Sequence, residues 1–438
     1  MLRVWLPLAL LFSVIIIQVA ILVGIYSTTQ EPTGGKEKVI YMGTSCPAVP
    51  MNASQLCPGV LSNGSATAIR ARDLGVPFPG VPAGAHNALT DISGVLLGHS
   101  TLVCGSGPLV VGEGPVRTGV TAILPRGIGG DPVIGGFFSL SGNGEFTGIH
   151  YVEETGCVIG PILLTNTGSV GTTHQSVVQY SNALLQQSPQ FEEWFDLLPV
   201  VAETWDGDLN DIMGLHVQLP HVAQAINGAS NGPVAEGSVG GGTGMRAFGW
   251  KAGAGTASRA VEAGGQAFKL AVYVQANFGS RQQMLVAGVP VGLETVDTLL
   301  PVINSDDPTL RRRDGSCVVV VATDAPLSAT QMRRLAKRAA LGLARTGGTG
   351  HTSSGDLFIA FTTGGVCTTS DFSDTIEAED TEFIPLDPFI DAAVYATEEA
   401  IINSMVAATN MTGINDNTIF AIPHQLLQNI LQKYNRLE

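Results

Sequence analysis

Four consecutive valines, Val318 to Val321, lie inside the segment SCVVVVATDAPL at 316–327. An apolar run without alternation, bounded by polar and turn residues, fits a strand covered on both faces. The segment before it, NSDDPTLRRRDG at 304–315, is charged and turn-rich. Ser316 therefore stands where a loop enters the core, with the flexible Gly315 ahead of it. That junction suits a chain that cuts itself between Gly315 and Ser316 and then uses the freed serine as a nucleophile. The plainer reading is a loop meeting a strand, and the pattern alone leaves both open.

The chain has 438 residues, enough for one large α/β domain or two ordinary ones, and 45% of them are hydrophobic against 13% charged. A large core is available. The 54 glycines and few aromatics fit many turns and close backbone contacts. A net charge of −15 argues against a nucleic-acid or anionic-membrane surface. The short run Arg311, Arg312, Arg313 reads as a solvated loop.

From Val4 to Tyr26 there is no charged residue, and Arg3 precedes the run. Its length, about twenty residues, favours a signal anchor over a cleaved signal peptide. Arg3 on the cytoplasmic side would place the rest of the chain outside the cytosol. Three sequons, beginning at Asn52, Asn63 and Asn410, agree with that placement as candidate glycosylation sites. Cys46 and Cys57 flank a short proline-containing loop where an oxidising compartment permits a bridge. Cys104, Cys157, Cys317 and Cys367 lie in apolar segments and read as buried thiols. No cysteine spacing matches a zinc site, so no metal is expected.

Residues 27–67 are rich in Ser, Thr, Pro, Gly and Asn and read as a stalk, with the folded domain beginning near Arg70. Beyond it, short apolar runs (120–126, 157–166, 268–279, 316–325) alternate with turns and helices. Ser328 is placed to cap a helix over 331–345, whose Met332, Leu335, Ala336, Ala339 and Leu343 share a face. Two further helices are expected over 389–408 and 424–437. This mixture suggests α/β layers without a second linker.

The glycine cluster EGSVGGGTGM (236–245) lacks both the dinucleotide fingerprint and a P-loop lysine, so it reads as a tight backbone turn. Its Gly237-Ser238 is a weaker self-cleavage candidate, because no long buried strand follows the serine. His351, in GGTGHTSSGD (347–356), reads as a solvated loop residue. No HExxH motif occurs.

Several segments in order resemble the L-aminopeptidase/D-Ala-esterase and β-peptidyl aminopeptidase family. They are NALTDISGVLLGHSTL (87–102), RTGVTAILPRG (117–127), GNGEFTG (142–148), ETWDGDLND (203–211), VAEGSVGGGTGM (234–245), VQANFGSR (274–281), GSCVVVVATDAPL (315–327) and SSGDLFIAF (353–361). The resemblance spans roughly 68–438. It implies a four-layer αββα sandwich of the aminopeptidase/ornithine acetyltransferase type, here preceded by the N-terminal transmembrane or signal helix. It also implies self-cleavage into an α piece (68–315) and a β piece (316–438), assembled as a homo-oligomer of such units. No cofactor is implied.

Carried onto this chain, the resemblance makes Ser316 the nucleophile and Asn277 the oxyanion-hole amide. It places Ser354 and Asp356 where a serine and an acid support the nucleophile; that acid is commonly glutamate, so Asp356 is one methylene shorter. Trp205 replaces a tyrosine that offers a hydroxyl near the oxyanion. An indole N–H donates but does not accept, and Trp205 reads either as a substitute donor or as a packed core residue. Glu203 is a candidate for the substrate ammonium, beside a purely structural role. The implied function is a self-processing serine aminopeptidase acting on short peptides, amides or esters. The alternative is a membrane-tethered binding protein of the same fold with weak or absent catalysis, which Trp205 favours. An acyltransferase resembling the ornithine acetyltransferases would carry a threonine at 316.

Overall fold

The valine run forms the centre of one of two facing sheets. A computed structural model describes residues 57–62, 69–187, 198–304, 315–367 and 384–437. The strands are β1 (Val60–Leu61), β2 (Leu96–Cys104), β3 (Val116–Leu124), β4 (Val133–Gly142), β5 (Cys157–Val158), β6 (Ile162–Asn166), β7 (Val200–Thr204), β8 (Arg246–Ala247), β9 (Trp250–Lys251), β10 (Ala254–Ala263), β11 (Gln266–Ala276), β12 (Cys317–Thr323) and β13 (Gly355–Val366). One sheet has the order β1-β2-β3-β6-β7 and the other β10-β11-β12-β13-β4-β5. Strands β6 and β7 pair in parallel, as do β12 and β13. Parallel neighbours need a crossover; helix α1 (Val170–Gln187) supplies the first and α3 (Ala329–Arg345) the second.

Successive side chains of β12 point to opposite faces, and both faces are buried. Val318 and Val320 pack between the sheets with Ile123, Leu164, Ala202 and Ile359. Val319 and Val321 pack outward against Leu335 and Ala339 of α3 and Phe389 and Ala393 of α4 (Asp387–Val406). On the far side, Val120, Leu163 and Val201 pack under α1 and α2 (Leu219–Asn227). The layers are therefore helix, sheet, sheet, helix. Fully burying one such valine contributes about 1.5–3 kcal/mol, so the run alone is a substantial part of the core.

Helix α3 begins as its capping residue requires: Ser328 Oγ accepts from the Gln331 amide. All five residues of its expected apolar face are buried. The expected 389–408 helix runs Asp387–Val406, and the C-terminal one ends early, at Lys433.

Two readings of the sequence change. Cys57 bridges Cys104 rather than Cys46, and Cys157 bridges Cys367, leaving Cys317 as the buried free thiol among the described residues. Register is the reason. The pairing of β1 with β2 brings Val60 opposite Thr101, which sets Cys57 beside the end of β2. Ile134 lies opposite Cys157 and Val133 opposite Val366, which brings Cys157 and Cys367 together. The stretch read as a stalk also reaches the fold at its end, through β1 and Cys57. Cys46, Asn52, Asn63, the apolar run 4–26 and Arg311 to Arg313 lie outside the described residues. Among the described residues no helix is long and apolar enough to cross a membrane. Asn410 is exposed, with Oδ1 accepting from the Ala421 amide.

Candidate active site

Strand register assembles the site. β11 runs antiparallel to β12, with Ala276 opposite Cys317, and β12 runs parallel to β13, with Cys317 opposite Asp356. The end of β11 and the starts of β12 and β13 therefore share one sheet edge. Asn277, Ser316 and Ser354 lie at that edge, and the Asn277 amide donates to the Ser316 carbonyl at 3.0 Å. From the facing sheet, β7 ends at Thr204 and delivers Glu203 and Trp205. Gln275 ties the two sheets there, donating to Thr165 O and Thr204 Oγ1. The result is a cleft of about 1010 Å³, lined by Glu203, Trp205, Arg246, Asn277, Gly315 and Ser316 among others.

Around the Gly315–Ser316 bond the polar contacts are dense. Ser354 Oγ lies 2.5 Å from the Gly315 carbonyl and 2.8 Å from Asp356 Oδ1. One hydroxyl hydrogen serves one acceptor at a time, so Ser354 links the carbonyl to the acid. Ser316 Oγ accepts from the Gly355 amide at 3.2 Å. Asn277 is held at both ends: Oδ1 accepts from the Arg246 amide at 3.0 Å, and Nδ2 donates to the Trp205 carbonyl at 2.8 Å. An amide NH₂ has two hydrogens, and the second is not needed by Trp205.

Gly315 is required for a reason the sequence did not reveal. A Cβ there would come 1.8 Å from the Asn277 carbonyl oxygen and 2.5 Å from its Nδ2. Gly315→Ala is expected to slow cleavage after residue 315 on the order of a hundredfold, since relieving the contact shifts the scissile carbonyl away from Ser354 and a misplacement of about 1 Å costs roughly that much. Time courses on denaturing gels measure it; unchanged processing would refute the steric argument.

Despite its shorter side chain, Asp356 reaches Ser354. Burial pushes its carboxyl up to about 6, against the hydrogen bonds from Ser354 and the Cys317 amide that lower it. An acid raised above its ordinary 3.8 favours the protonated form in the folded state. The cost to stability is absent below about pH 4, accumulates as pH rises towards 6, and then stays constant, at about 3 kcal/mol at most. In a chain kept uncut by Ser316→Ala, Asp356→Asn should therefore raise the melting temperature at pH 7.5 by a few degrees, a gain that shrinks as pH falls from 6 to 4.5. A gain that does not vary with pH would sink this account.

Glu203 lines the cleft and is itself almost fully buried. Its Oε1 accepts from the Glu145 amide at 3.0 Å, and Oε2 accepts from the Thr167 hydroxyl. Burial pushes its carboxyl up, and nearby Glu145 adds to this. A cation brought into the cleft would relieve both. Trp205 is not a core residue: it is half-buried in the cleft wall, its indole lying against Gly207, where a Cβ would come within 2.4 Å of it. Whatever its indole does, its carbonyl holds Asn277.

The glycine cluster is a tight turn, as expected. Its Gly240 and Gly241 amides donate to Thr101 and Thr121, and a Cβ on Gly241 would lie 2.2 Å from Gln275 Oε1. His351 is exposed, with Nε2 3.2 Å from Gln283 Nε2. Among the described residues no group of His, Cys, Asp or Glu is arranged to hold a metal ion. Sequence reasoning missed Thr167, Glu145, Asp208 and Arg246, although GNGEFTG and ETWDGDLND contain two of them.

Residues 87–419 match the profile of peptidase family S58. The chain belongs to peptidase family S58. It is 47% identical over 388 residues to the beta-peptidyl aminopeptidase BapA of Sphingosinicella microcystinivorans, covering 86% of this chain and 96% of that protein. The BapA of Sphingosinicella xenopeptidilytica is 43% identical, over 86% of this chain and 94% of its own length. Among solved structures, the L-aminopeptidase D-Ala-esterase/amidase of Ochrobactrum anthropi superposes with a TM-score of 0.74 at 40% identity, covering 84% of this chain and 99% of its own. That structure is described as a variant of the Ntn-hydrolase fold and a prototype of the serine aminopeptidases. The family, the Ntn-hydrolase-like α/β fold and a peptidase of the aminopeptidase kind are thereby shown for this chain.

Proposed function

We propose that this protein is a self-processing serine aminopeptidase whose nucleophile is Ser316. The observation that carries the reading is the Gly315–Ser316 bond, which lies in the cleft with its carbonyl 2.5 Å from Ser354 Oγ. In processing, Ser316 Oγ attacks the Gly315 carbonyl carbon while Ser354 donates to the carbonyl oxygen. The C–N bond breaks, the nitrogen takes the proton, and an ester links Gly315 to Ser316 Oγ. Water hydrolyses that ester, leaving a carboxylate at 315 and a free α-amine on Ser316.

That amine has an ordinary pKa of about 7.7–8.0. Near neutral pH part of it is unprotonated and takes the hydroxyl proton, directly or through Ser354. Ser316 Oγ then attacks the carbonyl of a bound peptide, amide or ester, and Asn277 Nδ2 donates to the oxygen that becomes negative. The leaving amine, or the alcohol of an ester, carries off the proton, and water releases the acyl group. Glu203 receives the substrate ammonium, which its burial and partly unused lone pairs support.

The clustering of these groups favours this reading over a catalytically silent binding protein. Two disulfides support an oxidising, extracytoplasmic location; anchoring through residues 4–26, glycan at the sequons and assembly into a multimer of αβ units belong to the same proposal. The deciding experiment is a denaturing gel of the purified protein with N-terminal sequencing, beside an assay on an aminoacyl amide and its N-acetyl form. Two pieces are expected, the smaller starting at Ser316, with release only from the free amine. An uncut chain that hydrolyses both equally would overturn the proposal.

A further inference from the structure

Among the described residues, Arg246 is the one cleft-lining arginine whose guanidinium the fold does not consume. Arg281, which also lines the cleft, donates to the carbonyls of Phe248, Gly249, Thr295 and Thr298 and stacks 3.5 Å over the Trp250 ring. It is structural. Arg246 instead makes a single ion pair, Nε to Asp208 Oδ2 at 2.6 Å, with its side chain 21% exposed to the cleft. A guanidinium has five N–H donors in a planar fork suited to a carboxylate, and this pair leaves the terminal nitrogens for a ligand. Asp208 fixes the fork without spending it.

The same cleft holds the other groups that a bound peptide would meet. Asn277 bridges the two halves of the cleft, Nδ2 towards Trp205 and Oδ1 towards the Arg246 amide. Glu203 stands near the end of β7 and Arg246 at the start of β8, and both line the cleft with Asn277. A carbonyl polarised at Asn277 Nδ2 therefore shares its cleft with a buried carboxylate and a guanidinium. That is the charge pattern of a short zwitterionic peptide.

We propose that Arg246, oriented by Asp208, receives the free C-terminal carboxylate of the leaving peptide fragment, so that the enzyme prefers unblocked di- and tripeptides over their C-terminal amides. The proposal rests on the aminopeptidase reading above. It adds a substrate class: peptides short enough for both chain ends to be held at once.

The test compares kcat/KM for one dipeptide and its C-terminal amide, on the processed enzyme and on Arg246→Met. The wild type should favour the acid on the order of tenfold, as one charge-assisted bidentate contact allows. In Arg246→Met that ratio should fall to about one, and in Arg246→Lys to an intermediate value. A ratio cancels any general loss of activity from the variant. A wild-type ratio of one or less overturns the proposal without any variant, as does an unchanged ratio in Arg246→Met. If Arg246→Met does not fold, the wild-type and Arg246→Lys ratios decide, since a lysine that keeps the full preference argues against a bidentate fork. Failure of the aminopeptidase reading is distinct: neither acid nor amide would then be cleaved.

Discussion

Ser316→Ala should yield one uncut chain and no release of amine from an aminoacyl amide. Two losses coincide in this variant. The attacking oxygen is removed, and because no cut occurs the α-amine that would serve as base never forms. Removing a nucleophile that works as a unit with its base costs on the order of 10⁴-fold or more in rate, which puts residual hydrolysis at the background of the assay. The fold should survive, because Ser316 Oγ makes one 3.2 Å contact, with the Gly355 amide, and the valines behind it are untouched. Circular dichroism with the gel separates these outcomes. An uncut Ser316→Ala chain with wild-type turnover would remove both processing and nucleophile from the account.

The second large effect is expected from Asn277→Ala. Loss of one preorganised donor to a developing oxyanion costs about 10²–10³-fold in rate. Here the same amide lies beside the Gly315–Ser316 bond, so processing should slow as well as turnover. Asn277→Asp keeps the acceptor for the Arg246 amide but puts an anion where negative charge develops, and should be no better than the alanine. The measurement is the half-time of cleavage on a gel, followed by kcat for the processed fraction. An aspartate variant as fast as wild type would show that the donor is not used.

Much of the frame was legible in the chain. The valine run read as a strand covered on both faces, because branched apolar side chains in a row without alternation fit a strand with no solvent face. Ser328 was placed to cap a helix, and the apolar face of that helix was readable from its period. The order of short segments identified the family before any contact was known, and it carried Ser316, Asn277, Ser354 and Asp356 with it. Less could be read of the cysteines. Three residues taken as thiols are bridged, because pairing between distant strands, not spacing along the chain, decides which sulfurs meet.

The sequence by itself suggested α/β layers, since periodicity and capping are properties of neighbours in the chain, and its ordered motifs identified the family, whose resemblance implied the four-layer fold and the groups around Ser316. Only the tertiary structure decided how those groups meet. The antiparallel and parallel registers around β12 bring residues 277, 316 and 356 to one edge, and the facing sheet sets Glu203 and Trp205 above them. The steric need for glycine at 315 and the bridging posture of Asn277 arise there too, as does the pairing of Arg246 with Asp208. Each depends on ångström-scale separations between residues far apart in the chain, and such distances are set by packing.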